Sequence, residues 1–292
     1  MDILTLAEEK KLMFDSYLHR YLEDNDISSG IFDAFSYSLK AGGKRIRPIL
    51  TMLACEALGG DPEETLPAGL AIEMIHTFSL IHDDLPAIDN DDLRRGMPTC
   101  HARFGEATAI LAGDALIFQA LSVISGAPYP TDAKLDILRF LAEVCGAQGL
   151  VQGEYDDVMA EGKPLDLTAI QEIYRKKTAR LFELCMFAGA RIACSDQLKI
   201  RNMVSFGTHL GLAFQAIDDI LDITSDKDTL GKTSGKDMLQ DKATIVKALG
   251  LSAAGTWAQD MTGKALTALE DIDGKAPAML KELALTMLRR VQ

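Results

Sequence analysis

Aromatic side chains are scarce in this chain, 6% of 292 residues with a single tryptophan, and basic residues are outnumbered, 30 lysines and arginines against 43 acids. The formal charge of −13 argues against nucleic acid as a partner, because nucleic-acid phosphates draw basic surfaces. The five cysteines, Cys55, Cys100, Cys145, Cys185 and Cys194, are odd in number and show no CxxC spacing, which leaves no disulfide or zinc framework to build on. They lie mostly in apolar helical stretches, so we expect buried free thiols in a reducing cytoplasm. No apolar run is both long and unbroken. The most hydrophobic segment, Ala107 to Ile124, is interrupted by Asp114 and contains Gly113 and Gln119, and it reads as a buried core helix rather than a membrane span. Met1-Asp2-Ile3 lacks the basic-then-apolar pattern of a leader peptide. Alternating strand patterns and repeats of solenoid period are missing as well.

What remains is helical periodicity, over a hydrophobic content of 48% that amply supplies a core. We expect an all-α fold with helices over 3–24, 30–40, 46–58, 65–84, 105–125, 132–160, 167–193, 197–223, 239–249, 254–272 and 277–290. Glycine- and proline-rich breaks separate them, as at Gly59-Gly60-Asp61-Pro62 and Gly274 to Pro277. None of these breaks is a polar linker. A length near the limit for one core allows one domain or two, and we read 1–292 as a single domain.

Against that helical background one stretch stands out. His82-Asp83-Asp84-Leu85-Pro86-Ala87-Ile88-Asp89-Asn90-Asp91-Asp92 crowds its carboxylates, and Leu93-Arg94-Arg95-Gly96 follows at once. Acids so close repel one another and need a counter-charge, most simply a hard divalent cation held by oxygen ligands. Two arginines beside it suit a phosphate, which a guanidinium grips bidentately. Phe214-Gln215-Ala216-Ile217-Asp218-Asp219-Ile220-Leu221-Asp222 repeats the carboxylate pattern inside an apolar run. On a helix Asp218 and Asp222 share a face one turn apart, with Asp219 beside them. Asp83 and Asp89, six residues apart, would sit roughly 240° apart on a helical wheel. Pro86 disfavours helix at Leu85, so the helix should end near Asp84 and a bend should bring Asp89 back toward the same ions.

Other basic groups fit an anionic ligand. Gly42-Gly43-Lys44-Arg45-Ile46-Arg47-Pro48 sets three cations beside exposed backbone amides and a helix-initiating proline. His76 lies on almost the same helical face as Asp83, and Phe78 lies five residues, about 7.5 Å of helix, before it. Lys176-Lys177-Thr178 forms a basic run on a helix. A glycine-flanked lysine loop, Gly231-Lys232 to Lys236, precedes Asp241-Lys242 and looks like a mobile cover for a phosphate.

Together these motifs resemble, in order and from Gly42 to Lys242, the trans-prenyl diphosphate synthases, Asp83-Asp84 with Asp89 matching the first aspartate-rich motif and Asp218-Asp219 with Asp222 the second. The resemblance implies one helical bundle of isoprenoid synthase type around a central hydrophobic cavity, homodimeric, with Mg²⁺, three ions per active site, held by Asp83, Asp84, Asp89, Asp218, Asp219 and Asp222. It implies that Lys44, Arg47, Arg95 and His76 bind isopentenyl diphosphate, with Arg45 in a less definite role. On the allylic side, holding dimethylallyl or geranyl diphosphate, it implies Arg94, Lys177, Thr178, Gln215, Lys232 and Lys242, lined by the stripe Gln148, Gly149, Gln152, Gly153 and Asp156. Catalysis would fall to Asp83, Asp84, Asp89, Asp218 and Asp219 with Arg94, Lys177 and Lys232. His82 matches the family without a role. An aromatic Phe78, next to Ser79, and a first motif lengthened by Pro86-Ala87 resemble the short-chain bacterial farnesyl diphosphate synthases, in which a ring there floors the product tunnel. The resemblance thus implies condensation of isopentenyl diphosphate with dimethylallyl and then geranyl diphosphate to a C15 product.

Rival readings explain less. A geranylgeranyl diphosphate synthase of the same family tends to carry a smaller residue at Phe78. A class I terpene cyclase needs no second diphosphate site, which strands Lys44 and His76. A metal phosphohydrolase strands Asp218, Asp219 and Asp222, and a non-catalytic partner subunit should have lost one aspartate set. An EF-hand fails because Leu93 and Cys100 fall where oxygen ligands are needed.

Overall fold

The computed structural model describes residues 3–224, 242–272 and 274–291. Helices α1 (Ile3–Asp24), α2 (Gly30–Lys40), α3 (Ile46–Ala57) and α4 (Leu66–Asp83) come first. A two-stranded ribbon follows, β1 (Leu93–Arg94) paired antiparallel with β2 (Met97–Pro98). Then come α5 (Cys100–Phe104), α6 (Glu106–Gly126), α7 (Thr131–Cys145), α8 (Leu150–Ala160), α9 (Leu167–Tyr174), α10 (Arg180–Ala193) and α11 (Gln197–Thr224). The chain closes with α12 (Ile245–Leu249), α13 (Leu251–Thr267) and α14 (Lys275–Leu288). The all-α expectation holds, and the short ribbon is its one addition among the described residues.

Helix α4 is the axis of the molecule. Pro67 sits in its first turn, where a missing N–H costs nothing, and Ala68 to Ile75 are all buried, so this stretch is enclosed on every side, with Glu73 as its one charged residue. It packs against α3 on one side and α6 on the other, while α10 lies against α3 and α11, and α13 covers α11. Buried side chains from Leu6 to Leu288 join into one hydrophobic cluster, in which Phe14, Phe182 and Phe206 are fully buried.

Four segments depart from the periodicity. The expected helix 132–160 is two helices, because Gly146 and Gly149 interrupt it between Cys145 and Leu150. The expected helix 167–193 contains a π-turn over Arg175–Ala179, which joins α9 to α10. Of the expected helix 239–249, residues 239–241 lie outside the described residues, 242–244 are not helical, and Thr244 caps α12, its hydroxyl accepting from the N–H of Lys247 at 3.2 Å. Helix α6 is not buried all round. About a third of its most apolar window is enclosed, and Ile110, Leu111 and Phe118 stand 44%, 55% and 71% exposed. By length and composition α6 could cross a membrane; its inner face, Ala109, Ala112, Gly113, Leu116 and Ala120, packs on α4.

Candidate active site at the ends of helices α4 and α11

Helix α4 ends at Asp83, as Pro86 requires, and the chain turns back on itself. The N–H of Asp89 donates to the carbonyl of Asp83 at 2.8 Å, and that of Asp91 to the carbonyl of Asp84 at 3.1 Å. The bend foreseen from Pro86 therefore exists and sets Asp89 over Asp83. The ribbon follows, with a turn at Arg95 and Gly96 where both φ angles are positive, 54° and 75°, the geometry of a tight hairpin turn.

That hairpin sends two adjacent arginines in different directions. Arg94 grips Asp84, Nε reaching both carboxylate oxygens at 2.8 Å and Nη2 reaching Oδ1 at 2.6 Å. Arg95 Nη1 donates to the carbonyl of Gly42, and its guanidinium lies against Gly43, where a Cβ would come within 2.7 Å of Cζ. Only glycine, at φ 126°, permits that approach. Burial lowers the pKa of the Arg95 guanidinium, with Arg45, Arg94 and Arg47 also pushing it down and Glu73 opposing. Four arginines thus crowd one corner.

Two of them differ in kind. Arg45, a positive-φ residue at the start of α3, is buried and bonded to Asp15 (2.9 Å), Glu73 (2.8 Å) and the carbonyl of Leu39 (2.8 Å), so it is a strut of the fold. Arg47 stacks over Phe182 at 5.5 Å, and its buried Nε has no hydrogen-bond partner. Burial lowers its pKa too, against Glu73, Cys185 and Asp218, which places Arg47 within reach of the second aspartate set. Lys44 is exposed and His76 half-buried.

Across the site Lys177 extends from the π-turn. Its Nζ lies 2.6 Å from Asp157 Oδ2 and 2.8 Å from Glu154 Oε2, both on α8. Burial opposes its charge, but Asp157, Asp83 and Glu154 outweigh burial and raise its pKa. Lys176 bonds Asp156 at 2.7 Å, which resolves which lysine faces the aspartates: it is Lys177. Asp83 titrates high, at about 8, first because it is buried and next because Glu154 faces it, while Lys177 and Arg94 pull the other way. Lys242 Nζ bonds Asp89 Oδ1 at 3.0 Å, so the segment after the second motif closes onto the first.

The second set divides the same way as the first. Asp219 is buried, accepting from the Tyr174 hydroxyl and from Gln215 Nε2 (3.1 Å) and the Ile245 N–H (3.2 Å). Thr178 in turn donates to Gln215 at 2.7 Å. Asp84 and Asp219, expected as metal ligands, are thus engaged in holding Arg94 and the start of α12; Asp83, Asp89, Asp218 and Asp222 are the other acids of the two sets. Asp222 Oδ2 is buried without a hydrogen-bond partner. Among the described residues no three His, Cys, Asp or Glu side chains converge on one ion-sized point, and Lys177 and Lys242 supply counter-charge instead. The donor set, all carboxylate oxygens with one orphaned, fits a hard cation such as Mg²⁺.

Phe78 is buried on α4, edge-on to His82 at 5.7 Å between ring centres, and the ring of His82 meets the carbonyl of Ile110 on α6 at 3.1 Å. His82 therefore knits α4 to α6. Ser79 Oγ returns to the carbonyl of His76 at 2.9 Å. Lys232 lies outside the described residues. Sequence reasoning missed Tyr174, Glu154 and Asp157; for the latter two, acids spaced i, i+3 opposite Lys177 were the available signal.

An all-helical bundle that gathers two aspartate sets, a cluster of arginines and two lysines at one end belongs with proteins that handle diphosphates through bound cations. The polyprenyl synthetase family profile matches residues 29–278, and the chain belongs to that family. It is 44% identical over 97% of both chains to a farnesyl diphosphate synthase of Geobacillus stearothermophilus. It is 42% identical to a chloroplastic geranylgeranyl pyrophosphate synthase of Capsicum annuum, over 87% of this chain and 70% of that one. Among solved structures it resembles a geranyltransferase of Helicobacter pylori complexed with magnesium and isoprenyl diphosphate, at a TM-score of 0.86 and 31% identity, over 99% of this chain and 98% of that one.

Proposed function

We propose that this protein is a prenyltransferase that joins isopentenyl diphosphate to dimethylallyl and then geranyl diphosphate, giving (2E,6E)-farnesyl diphosphate. The observation that carries the reading is the junction of the two motifs, Lys242 on Asp89 and Lys177 facing Asp83, beside a separate corner of arginines. Two anion sites of different make suit two diphosphates, one ionised and one intact. A cyclase would have use for only the first.

Asp83, Asp89, Asp218 and Asp222 would hold Mg²⁺, three ions per site in this proposal. When bound, those ions supply the positive charge that stabilises the diphosphate as its allylic C–O bond breaks. Asp84 keeps Arg94 extended toward that diphosphate, and Asp219 does the same for Gln215 and for the backbone at Ile245, three residues after Lys242. Lys177 and Lys242, already charged and near the acids, turn to the diphosphate when it arrives; Lys232 joins them. Lys44, Arg47, Arg95 and His76 hold isopentenyl diphosphate so that its double bond meets C1 of the allylic cation. Loss of a proton, taken by the departing diphosphate, completes the five-carbon extension, since no other base is assigned there. Phe78, with Ser79 beside it, closes the hydrocarbon path and favours C15 over C20.

We further propose that 1–292 works as one domain, in the cytoplasm, as a homodimer. Four of its five unpaired cysteines are buried, which suits a reducing compartment. The exposed Ile110, Leu111 and Phe118 of α6 offer a face for a second copy, and Asp114 among them makes lipid a poor alternative.

Incubating the pure protein with isopentenyl and dimethylallyl diphosphates, with and without Mg²⁺, and weighing the products tests the function. Mostly C15 product, only with Mg²⁺, is expected. Mainly C20 would favour the geranylgeranyl reading, and cyclised hydrocarbon would end the proposal.

A further inference from the structure

Glu154 takes no step in the reaction above, yet its position is hard to explain as part of the fold. Its Oε2 is 2.8 Å from Lys177 Nζ, although Asp157 already holds the same ammonium at 2.6 Å. Its Oε1 is buried with no hydrogen-bond partner. Of all charged groups it acts most strongly on Asp83, an acid facing an acid. A half-buried carboxylate with one oxygen enclosed and unpaired costs stability, so a role in stability alone does not account for it.

We infer that Glu154 is a positioning residue for the allylic side of the site: it competes with the diphosphate for Lys177 and draws the ammonium back whenever the diphosphate leaves. The inference rests on Lys177 being an allylic diphosphate contact. Lysine suits such an exchange, being a point charge on a flexible stem with three donors that can change partners without losing alignment. Lys177 lies between Asp157 and Glu154 on α8. A diphosphate, multiply charged, outbids one of them. Glu154 is then left without its lysine and with an enclosed, unpaired oxygen, and the cost of that state favours the return of Lys177 once the bond has broken. Glu154 thereby weakens the hold on allylic diphosphate and on released pyrophosphate, and it prevents the by-product from blocking the site.

Glu154→Gln keeps the shape and removes the charge. The KM for geranyl diphosphate and the Ki of inorganic pyrophosphate should each fall about tenfold, while the KM for isopentenyl diphosphate stays within about twofold. In a Lys177→Ala background the same substitution should change the pyrophosphate Ki by less than about twofold. Glu154→Asp, which retracts the carboxylate by one methylene, should give a smaller shift of the same sign and serves if the glutamine variant does not fold. An unchanged or raised Ki in the variants overturns the inference. So does a fall that persists without Lys177, since Glu154 would then be a general repulsive charge. A change in melting temperature with no change in Ki assigns Glu154 to the fold and likewise overturns it. Lys177→Ala alone with a normal KM for geranyl diphosphate is a different failure, that of the allylic assignment itself.

Discussion

Arg94 and Arg95 are neighbours in the chain and part company in space, one clasping Asp84 and the other folded over Gly42 and Gly43. Such divisions decide the site residue by residue. Asp83 and Asp84, or Asp218 and Asp219, look equivalent as letters, but Asp84 is gripped by Arg94, and Asp219 by Tyr174, Gln215 and the Ile245 N–H. Phe78 is the residue on which product length should turn. Phe78→Ala removes a buried ring, costing about 3–5 kcal/mol of stability, and should lengthen the products to C20 and beyond, as read by chromatography of the dephosphorylated alcohols. An unchanged C15 distribution would take Phe78 out of the account. The aspartates were legible because clustered like charges have few structural uses, whereas Lys177 and Lys242 entered only through the family resemblance. Arg45 was not legible, since its three partners, Asp15, Glu73 and Leu39, come from three other helices. Nor was Glu154, an ordinary helical acid until α8 meets the π-turn.

At the scale of elements, the π-turn over Arg175–Ala179 matters most. A π-turn inserts one residue into a helix and rotates the side chains on either side of it, and such turns cluster at functional sites. Here it presents Lys177 and Thr178 to the aspartates while Lys176 turns to Asp156. Helix α8 must come very close to allow this. A Cβ on Gly153 would collide with the backbone nitrogen of Lys177 and lie 2.8 Å from Lys176 Cβ. Gly153→Ala should therefore cost about 1–3 kcal/mol and raise the KM for the allylic diphosphate about tenfold, by pushing Lys177 out of place. Melting and steady-state kinetics on one preparation check this, and an alanine variant with normal stability and KM would contradict it. Periodicity registered helix through this region but not the extra residue, because one residue of insertion leaves the apolar pattern almost intact. The break at Gly146 and Gly149 was more visible in principle, since two glycines three apart weaken a helix. It was passed over because the apolar positions continue on both sides.

For the whole molecule, a chain carrying −13 charges and acting on anions must concentrate its cations where they are used. The arginines of α3 and the ribbon, with Lys177 and Lys242, do so at one end of the bundle, next to the acids that would otherwise repel the substrate. Helix α4 links the two functions, carrying Asp83 at its end and Phe78 within its buried length. The all-helical architecture was legible throughout, because the core of such a bundle repeats in sequence. How its ends close was not, because Lys242 on Asp89 and Tyr174 on Asp219 join residues far apart in the chain. The central claim is that both aspartate sets grip one diphosphate through shared cations. Crystals grown with Mn²⁺ and a non-ionisable thio analogue of dimethylallyl diphosphate test it most directly, by anomalous scattering from the metal. The account predicts manganese bonded to carboxylate oxygens of Asp83 and of Asp218 around a single diphosphate. Metal confined to one set, with the other set facing only its own lysine or tyrosine, would contradict it.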